Sequence, residues 1–166
     1  QGTLYGKNTM GGAISIISRE PTDELGGSFM VEGATGSSVV ANGVVNVPIV
    51  GDELANRTAL FYRKADGLLR NETTGKDDAA RRDDVSARSI FVYDPGHGFR
   101  SALSLFYADL KSAPFAYSTT NKGLNHPIKN VTKNFNGEVV SNYKSVNFTN
   151  SLELGPAILS SLTSYD

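Results

Sequence analysis

The sequence contains no cysteine, no tryptophan and no long apolar run. Without cysteine, disulfides and thiolate metal sites are excluded, although the cellular compartment stays open. No segment approaches the roughly 18 apolar residues of a membrane-spanning helix. The net charge is −1 at pH 7, so no charge excess favours nucleic acid. We therefore expect no nucleic-acid partner.

The 166 residues are enough for one domain with a sizeable core. Helix-forming patterns are scarce, whereas Gly, Ser, Thr, Asn and Val are frequent, which favours an all-β fold. The sequence begins at Gln1 without a methionine. We therefore expect a piece of a longer protein, and the lack of a signal peptide carries no information.

The first residues, QGTLYGKNTMGGAISIIS, raise the possibility of a phosphate-binding loop. That loop requires G-x-x-x-x-G-K-[ST] followed by a helix. Gly2 and Gly6 are one residue too close, and Asn8 follows Lys7 where the hydroxyl residue is needed. Alternating β-branched residues come next, in 13–18, and they predict a strand. We therefore predict no nucleotide site here.

The rest of the chain alternates apolar and polar residues between turns. This pattern predicts seven strands, at 27–34, 39–50, 54–65, 85–93, 99–110, 142–154 and 157–165. In the sixth, Val146 and Phe148 share one face while Asn147 and Thr149 share the other.

The connections between these strands alternate in length. Tight turns follow the first, second, fourth and sixth strands, whereas 66–84 and 111–140 are long. In a meander, alternate connections lie at the same end of the sheet, so most tight turns share one end and both long loops share the other. This asymmetry is typical of outer-membrane barrels, and strands of about 9–12 residues suit a tilted crossing. A soluble β-sandwich also alternates in this way, so the pattern alone leaves both architectures open.

The first 22 residues carry a more specific signal. GTLYG at 2–6, GGAISIIS at 11–18 and PT at 21–22 closely resemble the segment that closes the plug domain of TonB-dependent outer-membrane receptors, just before the first barrel strand. RKADGLLRN at 63–71 resembles the second barrel hairpin of that family more loosely, and LSSLTSYD at 159–166 resembles a later barrel strand. The YG.RAANGVI.ITTK version of its carbohydrate-importing branch is absent, so the siderophore-receptor branch is closer.

The resemblance implies a division into the end of a plug, 1–24, and the N-terminal part of an antiparallel transmembrane β-barrel, 25–166. The complete barrel would have about twenty-two strands, of which seven are present. The plug-motif residues, with structural roles, are Gly2, Tyr5, Gly6, Gly11, Gly12, Ile14, Ile16 and Pro21. The plug leads into the barrel at the periplasmic rim, which puts both long loops outside the cell. An incomplete barrel has open edges, so this piece alone is expected to aggregate.

The function implied by the resemblance is active import, with no enzymatic activity and no cofactor. The expected location is the bacterial outer membrane, the expected substrate a ferric siderophore or similar chelate, and the expected partner TonB, acting through a box outside this sequence. A basic, aromatic loop could attract such an anionic chelate. The substrate-loop candidates are Lys111, Phe115, Tyr117, Lys122, Lys129 and Lys133. A passive porin-type barrel and a soluble all-β binding module are the alternatives.

Two further groups carry no predicted site. The acidic residues Asp77, Asp78, Asp83 and Asp84 lack the spacing of a calcium loop, and arginines intervene. His97 and His126 have no partner at metal-ligand or catalytic spacing. We interpret both groups as solvated side chains.

Overall fold

The computed structural model describes residues 17–67, 69–114, 130–134 and 137–166. These residues form β-strands and turns without a helix, which confirms the all-β prediction. None of the described segments is a helix that could cross a membrane. The strands are β1 (Gly26–Ala34), β2 (Ser38–Val50), β3 (Leu54–Ala65), β4 (Arg70–Asn71), β5 (Arg82–Gly96), β6 (Phe99–Ser112), β7 (Asn130–Val131), β8 (Val139–Leu154) and β9 (Ala157–Tyr165).

Seven of these strands form a single antiparallel sheet. Its order is β1-β2-β3-β5-β6-β8-β9, so each long strand pairs with the next one along the chain. All seven were predicted from alternation. Within the described part of the chain, β1 and β9 each pair on one side only, and the sheet is open.

Three strands extend beyond their predicted ends. β5 begins at Arg82 rather than at residue 85, β6 reaches Ser112, and β8 begins at Val139. The added residues are largely polar, so the apolar alternation stops before the backbone ladder does. Asp83 pairs with Lys64 on one side and with Lys111 on the other, and such opposite charges stabilise neighbouring strands. The predicted loop 66–84 is therefore shorter in the structure.

The tight turn between β5 and β6 depends on left-handed backbone. Gly96, His97 and Gly98 all have positive φ, at 78°, 57° and 77°. A Cβ on Gly98 would lie 2.8 Å from the Cβ of Glu153, so the neighbouring strand requires glycine there. His97 adopts a conformation that few residues other than glycine accept.

The sheet has two chemically different faces. Cross-strand partners share a face, so the registers assign every side chain to one side or the other. The polar face carries Asn42, Asn46, Arg57, Arg63, Asp84, Ser86, Arg88, Arg100, Ser104, Ser145 and Asn147, together with apolar residues that include Phe61, Phe106 and Leu162. The apolar face carries Phe29, Val31, Val45, Leu60, Tyr62, Val85, Tyr93, Phe99, Leu103, Leu105, Tyr107, Val146, Phe148, Leu152 and Leu159, together with charged residues that include Asp83, Lys111 and Lys144.

The polar face is the more enclosed of the two. The buried residues of the sheet are Ala55, Ile90, Ala108, Asn46 and Asp84, and all five belong to it. The apolar face contains most of the exposed large hydrophobic side chains. This is the reverse of a soluble protein, in which the apolar face of a sheet packs on the core.

Candidate functional site on the polar face

Residues 17–25, here called the pre-strand segment, precede β1 and lie along the polar face. Asn46 of β2 holds its end. The Asn46 side chain accepts a hydrogen bond from Thr22 N at 2.9 Å and donates to Thr22 O at 2.9 Å, to Thr22 Oγ1 at 3.0 Å and to Glu24 O. Asn46 is 3 % exposed; its two N–H donors are shared among three acceptors, and its oxygen accepts one hydrogen bond.

Two arginines from neighbouring strands contact the same segment further along. Arg88 of β5 donates to Ser18 Oγ, and its guanidinium lies 4.8 Å from the centroid of the Phe106 ring. Arg100 of β6 donates from Nη2 to Glu20 Oε2 at 2.7 Å. Along the segment, Ser18 therefore contacts β5, Glu20 contacts β6 and Thr22 contacts β2. Among the described residues, its side-chain hydrogen bonds to the sheet come from one buried amide and two guanidinium groups.

A third arginine of the polar face is paired within the sheet. Arg63 of β3 donates from Nε and Nη2 to Asp84 Oδ2 of β5, with the Nε distance 2.8 Å. The Asp84 side chain is almost fully buried in β5, so its interpretation as a solvated loop charge is wrong, whereas the side chain of Arg63 is partly exposed. A buried carboxylate requires such a partner, so this pair fixes the long-loop end of β3 against β5.

The two long loops join into one structure, here called the loop unit. β4 and β7 pair in parallel through Arg70 with Asn130 and Asn71 with Val131. Asn71 is fully buried and donates from Nδ2 to Lys133 O at 2.9 Å, while its Oδ1 accepts from Lys133 N at 3.1 Å. One side chain thus satisfies both backbone groups of a residue in the other loop.

One ion pair and one side-chain hydrogen bond connect the same loops at their surface. Arg81 reaches Glu138 at 2.9 Å, and Asn130 donates to Glu72 at 2.8 Å. Both loops leave the same end of the sheet, which confirms the predicted grouping of long connections. The parallel pairing between them was not predicted, because two-residue strands leave no periodic pattern.

The predicted site residues lie in different places. Pro21 is part of the pre-strand segment, and Lys133 belongs to the loop unit, where its Nζ lies 3.4 Å from Pro114 O. Lys111 stands on the apolar face, with its Nζ 3.3 Å from Asp109 Oδ2. The remaining candidates lie outside the described residues; they are Gly2, Tyr5, Gly6, Gly11, Gly12, Ile14, Ile16, Phe115, Tyr117, Lys122 and Lys129.

Sequence reasoning missed the residues that make most of these contacts. Asn46, Arg88 and Arg100 belong to no motif, and Asn71 was noted only as the end of RKADGLLRN; the partners of all four are distant in the chain. For Asn46, Arg88 and Arg100, the only sequence signal of such a contact was a polar residue at an alternating position that faces the polar side of the sheet. Within the described ranges, no group of three or more acidic or histidine side chains could hold a metal ion.

No protein-family model matches the chain, and no solved structure matches it significantly.

Proposed function

We propose that this chain forms part of the wall of a TonB-dependent outer-membrane receptor and imports a scarce nutrient, with a ferric siderophore as the expected cargo. The observation that carries the proposal is the inverted sheet, which exposes its apolar face and encloses its polar face. The pre-strand segment lies on that polar face, where the end of a plug would enter a barrel lumen.

A lipid membrane would cover the exposed side chains of the apolar face. Phe29 is 77 % exposed, Leu60 57 % and Leu159 62 %, and they belong to strands at both edges and in the middle of the sheet. A soluble monomer rarely exposes a contiguous apolar patch larger than a few hundred Å². A groove of about 440 Å³ also crosses this face beside Leu105 and Val146, a size and lining that acyl chains would fill.

Three polar side chains in the middle of the apolar face bond to each other, whereas Asp109 Oδ1, on the same face, is buried without a hydrogen-bond partner among the described residues. Asn56 donates to Ser89 Oγ at 2.9 Å and to Ile90 O at 3.1 Å. Thr58 Oγ1 lies 2.9 Å from Asn56 Oδ1 and 2.9 Å from Ser89 Oγ. Hydrocarbon offers no hydrogen bonds, so polar groups that face it must be satisfied within the protein. These three side chains meet that requirement.

The stagger of the strands supports closure into a barrel. One row of cross-strand partners joins Leu54, Tyr93, Ser101, Asn150 and Ser161. The row starts at the first residue of β3 and reaches the fifth residue of β9. It is therefore displaced by four residues along the strands while it crosses four strand spacings. With about 3.3 Å per residue and 4.8 Å between strands, this slope corresponds to a tilt of roughly 35°. Closed barrels require a tilt of this size.

In the proposed import mechanism, the pre-strand segment acts as the obstruction and the loop unit lies at the end where cargo binds. Asn46, Arg88 and Arg100 hold the segment over the polar face, where it would obstruct the lumen of a closed barrel. Cargo would bind at the opposite end, near the loop unit. Energy supplied through TonB would then displace the obstruction, whereas a passive porin has no such segment to move.

Uptake by cells tests this proposal. The full reading frame that contains this sequence is expressed in a bacterium lacking its own siderophore receptors, and uptake of radiolabelled ferric chelates, haem and cobalamin is measured. We expect the protein in the outer-membrane fraction and uptake of one cargo that stops when an uncoupler removes the proton-motive force. Uptake that continues with uncoupler indicates a passive channel, and recovery in the soluble fraction indicates a soluble binding module.

A further inference from the structure

A polar cavity lies between the pre-strand segment and the first three strands. Its volume is about 310 Å³, several times that of a small oxyanion. Among the residues that line it are Arg19, Thr22 and Glu24 from the segment and Ser28, Asn46 and Arg57 from the sheet. The cavity opens on the polar face, at the end of the sheet opposite the loop unit.

Arg57 differs from Arg63 and Arg100, which pair with acidic side chains. Arg63 pairs with Asp84 and Arg100 with Glu20, whereas Arg88 donates to the neutral hydroxyl of Ser18. Arg57 is only half exposed, and no acidic side chain in the described part of the chain lies within ion-pair distance of it. A partly buried charge is costly without a counter-charge. Arg57 is therefore a cation that a bound anion would stabilise.

Arg19 of the segment is a second basic residue in the lining of the same cavity. It also forms no ion pair with the described acidic residues. Guanidinium groups bind the oxygens of carboxylates and phosphates through paired N–H donors, and the Ser28 and Thr22 hydroxyls add polar groups beside them. Glu24 is the opposing charge in the lining, and its carboxylate is paired with neither arginine.

We propose that this cavity is a binding site for an oxyanionic group, with Arg57 and Arg19 as its cationic ligands and Glu24 as the charge that weakens binding. The group is either a free inorganic anion or the anionic part of a larger molecule. The site does not depend on the proposed transport activity, because it uses only the segment and β1–β3.

Calorimetric titration of the protein encoded by the full reading frame, purified in detergent, with inorganic phosphate at low ionic strength tests the site. We expect saturable binding with a dissociation constant in the millimolar range. Arg57→Gln and Arg19→Gln should each weaken it at least tenfold. Arg82→Gln is the matched control, because Arg82 lies on the same face at the loop end and also lacks an ion pair among the described residues. It should leave the affinity unchanged.

Glu24→Gln gives an independent readout. Loss of its negative charge should tighten phosphate binding severalfold, which a loss of folding would not produce. Arg19 lies outside the sheet, so Arg19→Gln keeps the test valid even where Arg57→Gln fails to fold. A second titration, with glycerol 3-phosphate, distinguishes the two kinds of ligand. Binding of inorganic phosphate but not of glycerol 3-phosphate indicates a site for a free inorganic anion. Binding of both compounds indicates a site that accepts the anionic part of a larger molecule. Absence of saturable binding, an equal loss with Arg82→Gln, or unchanged affinity in Glu24→Gln would overturn the site.

Discussion

Replacing Asn46 with alanine should release the pre-strand segment from the sheet. Four hydrogen bonds join the Asn46 side chain to Thr22 and Glu24. An intramolecular hydrogen bond contributes about 1 kcal/mol net, and a buried group left unpaired costs about 1–3 kcal/mol. Water can reach the exposed side of the segment and satisfy part of the loss. We therefore expect docking to weaken by about 2–4 kcal/mol, whereas the sheet itself stays folded.

Hydrogen exchange measured by mass spectrometry reports this change directly. A loss of 2–4 kcal/mol corresponds to roughly 30- to 1,000-fold faster exchange at the Thr22 amide, since every 1.4 kcal/mol is a factor of ten. Asn42→Ala is the matched control, because Asn42 lies on the same face of β2 without a side-chain hydrogen bond to any described residue. Unchanged exchange in Asn46→Ala, or an equal acceleration in Asn42→Ala, would refute the reasoning.

The other substitutions test the loop unit, the buried ion pair and the two faces. Asn71→Ala should weaken the loop unit by about 2–3 kcal/mol, seen as faster exchange in 130–134 with the sheet unaffected, because two backbone groups of the other loop lose their partner. Asp84→Ala should lower the free energy of unfolding by about 2–4 kcal/mol in a denaturant titration, whereas Asp77→Ala, whose exposed pair spans 3.4 Å, should change it by less than about 1 kcal/mol. Leu60→Arg on the apolar face should destabilise the bilayer-inserted form by about 2–4 kcal/mol, and Ser86→Arg on the polar face by less than about 1 kcal/mol. Equal losses for Asp84→Ala and Asp77→Ala would contradict the buried ion pair. Equal losses for Leu60→Arg and Ser86→Arg would contradict the membrane-facing side of the sheet.

The alternation of apolar and polar residues was enough to predict the seven long strands. It failed at the loop ends of β5, β6 and β8, where charged residues such as Asp83 and Lys111 continue the ladder without an apolar face. The contacts of the site were beyond prediction for a different reason. Asn46 and Asn71 act on backbone groups 24 and 62 residues away, and their roles depend on which strands meet in space.

The most direct test of the membrane proposal uses the absence of cysteine. Single cysteines at Ala102, Leu103, Ser104 and Leu105 of β6 can be spin-labelled without background in the vesicle-reconstituted protein. The account predicts that labels at Leu103 and Leu105 collide with oxygen dissolved in lipid, whereas labels at Ala102 and Ser104 collide with a water-soluble nickel reagent. Equal access of the nickel reagent to all four positions, or the opposite alternation, would contradict a membrane-facing apolar surface.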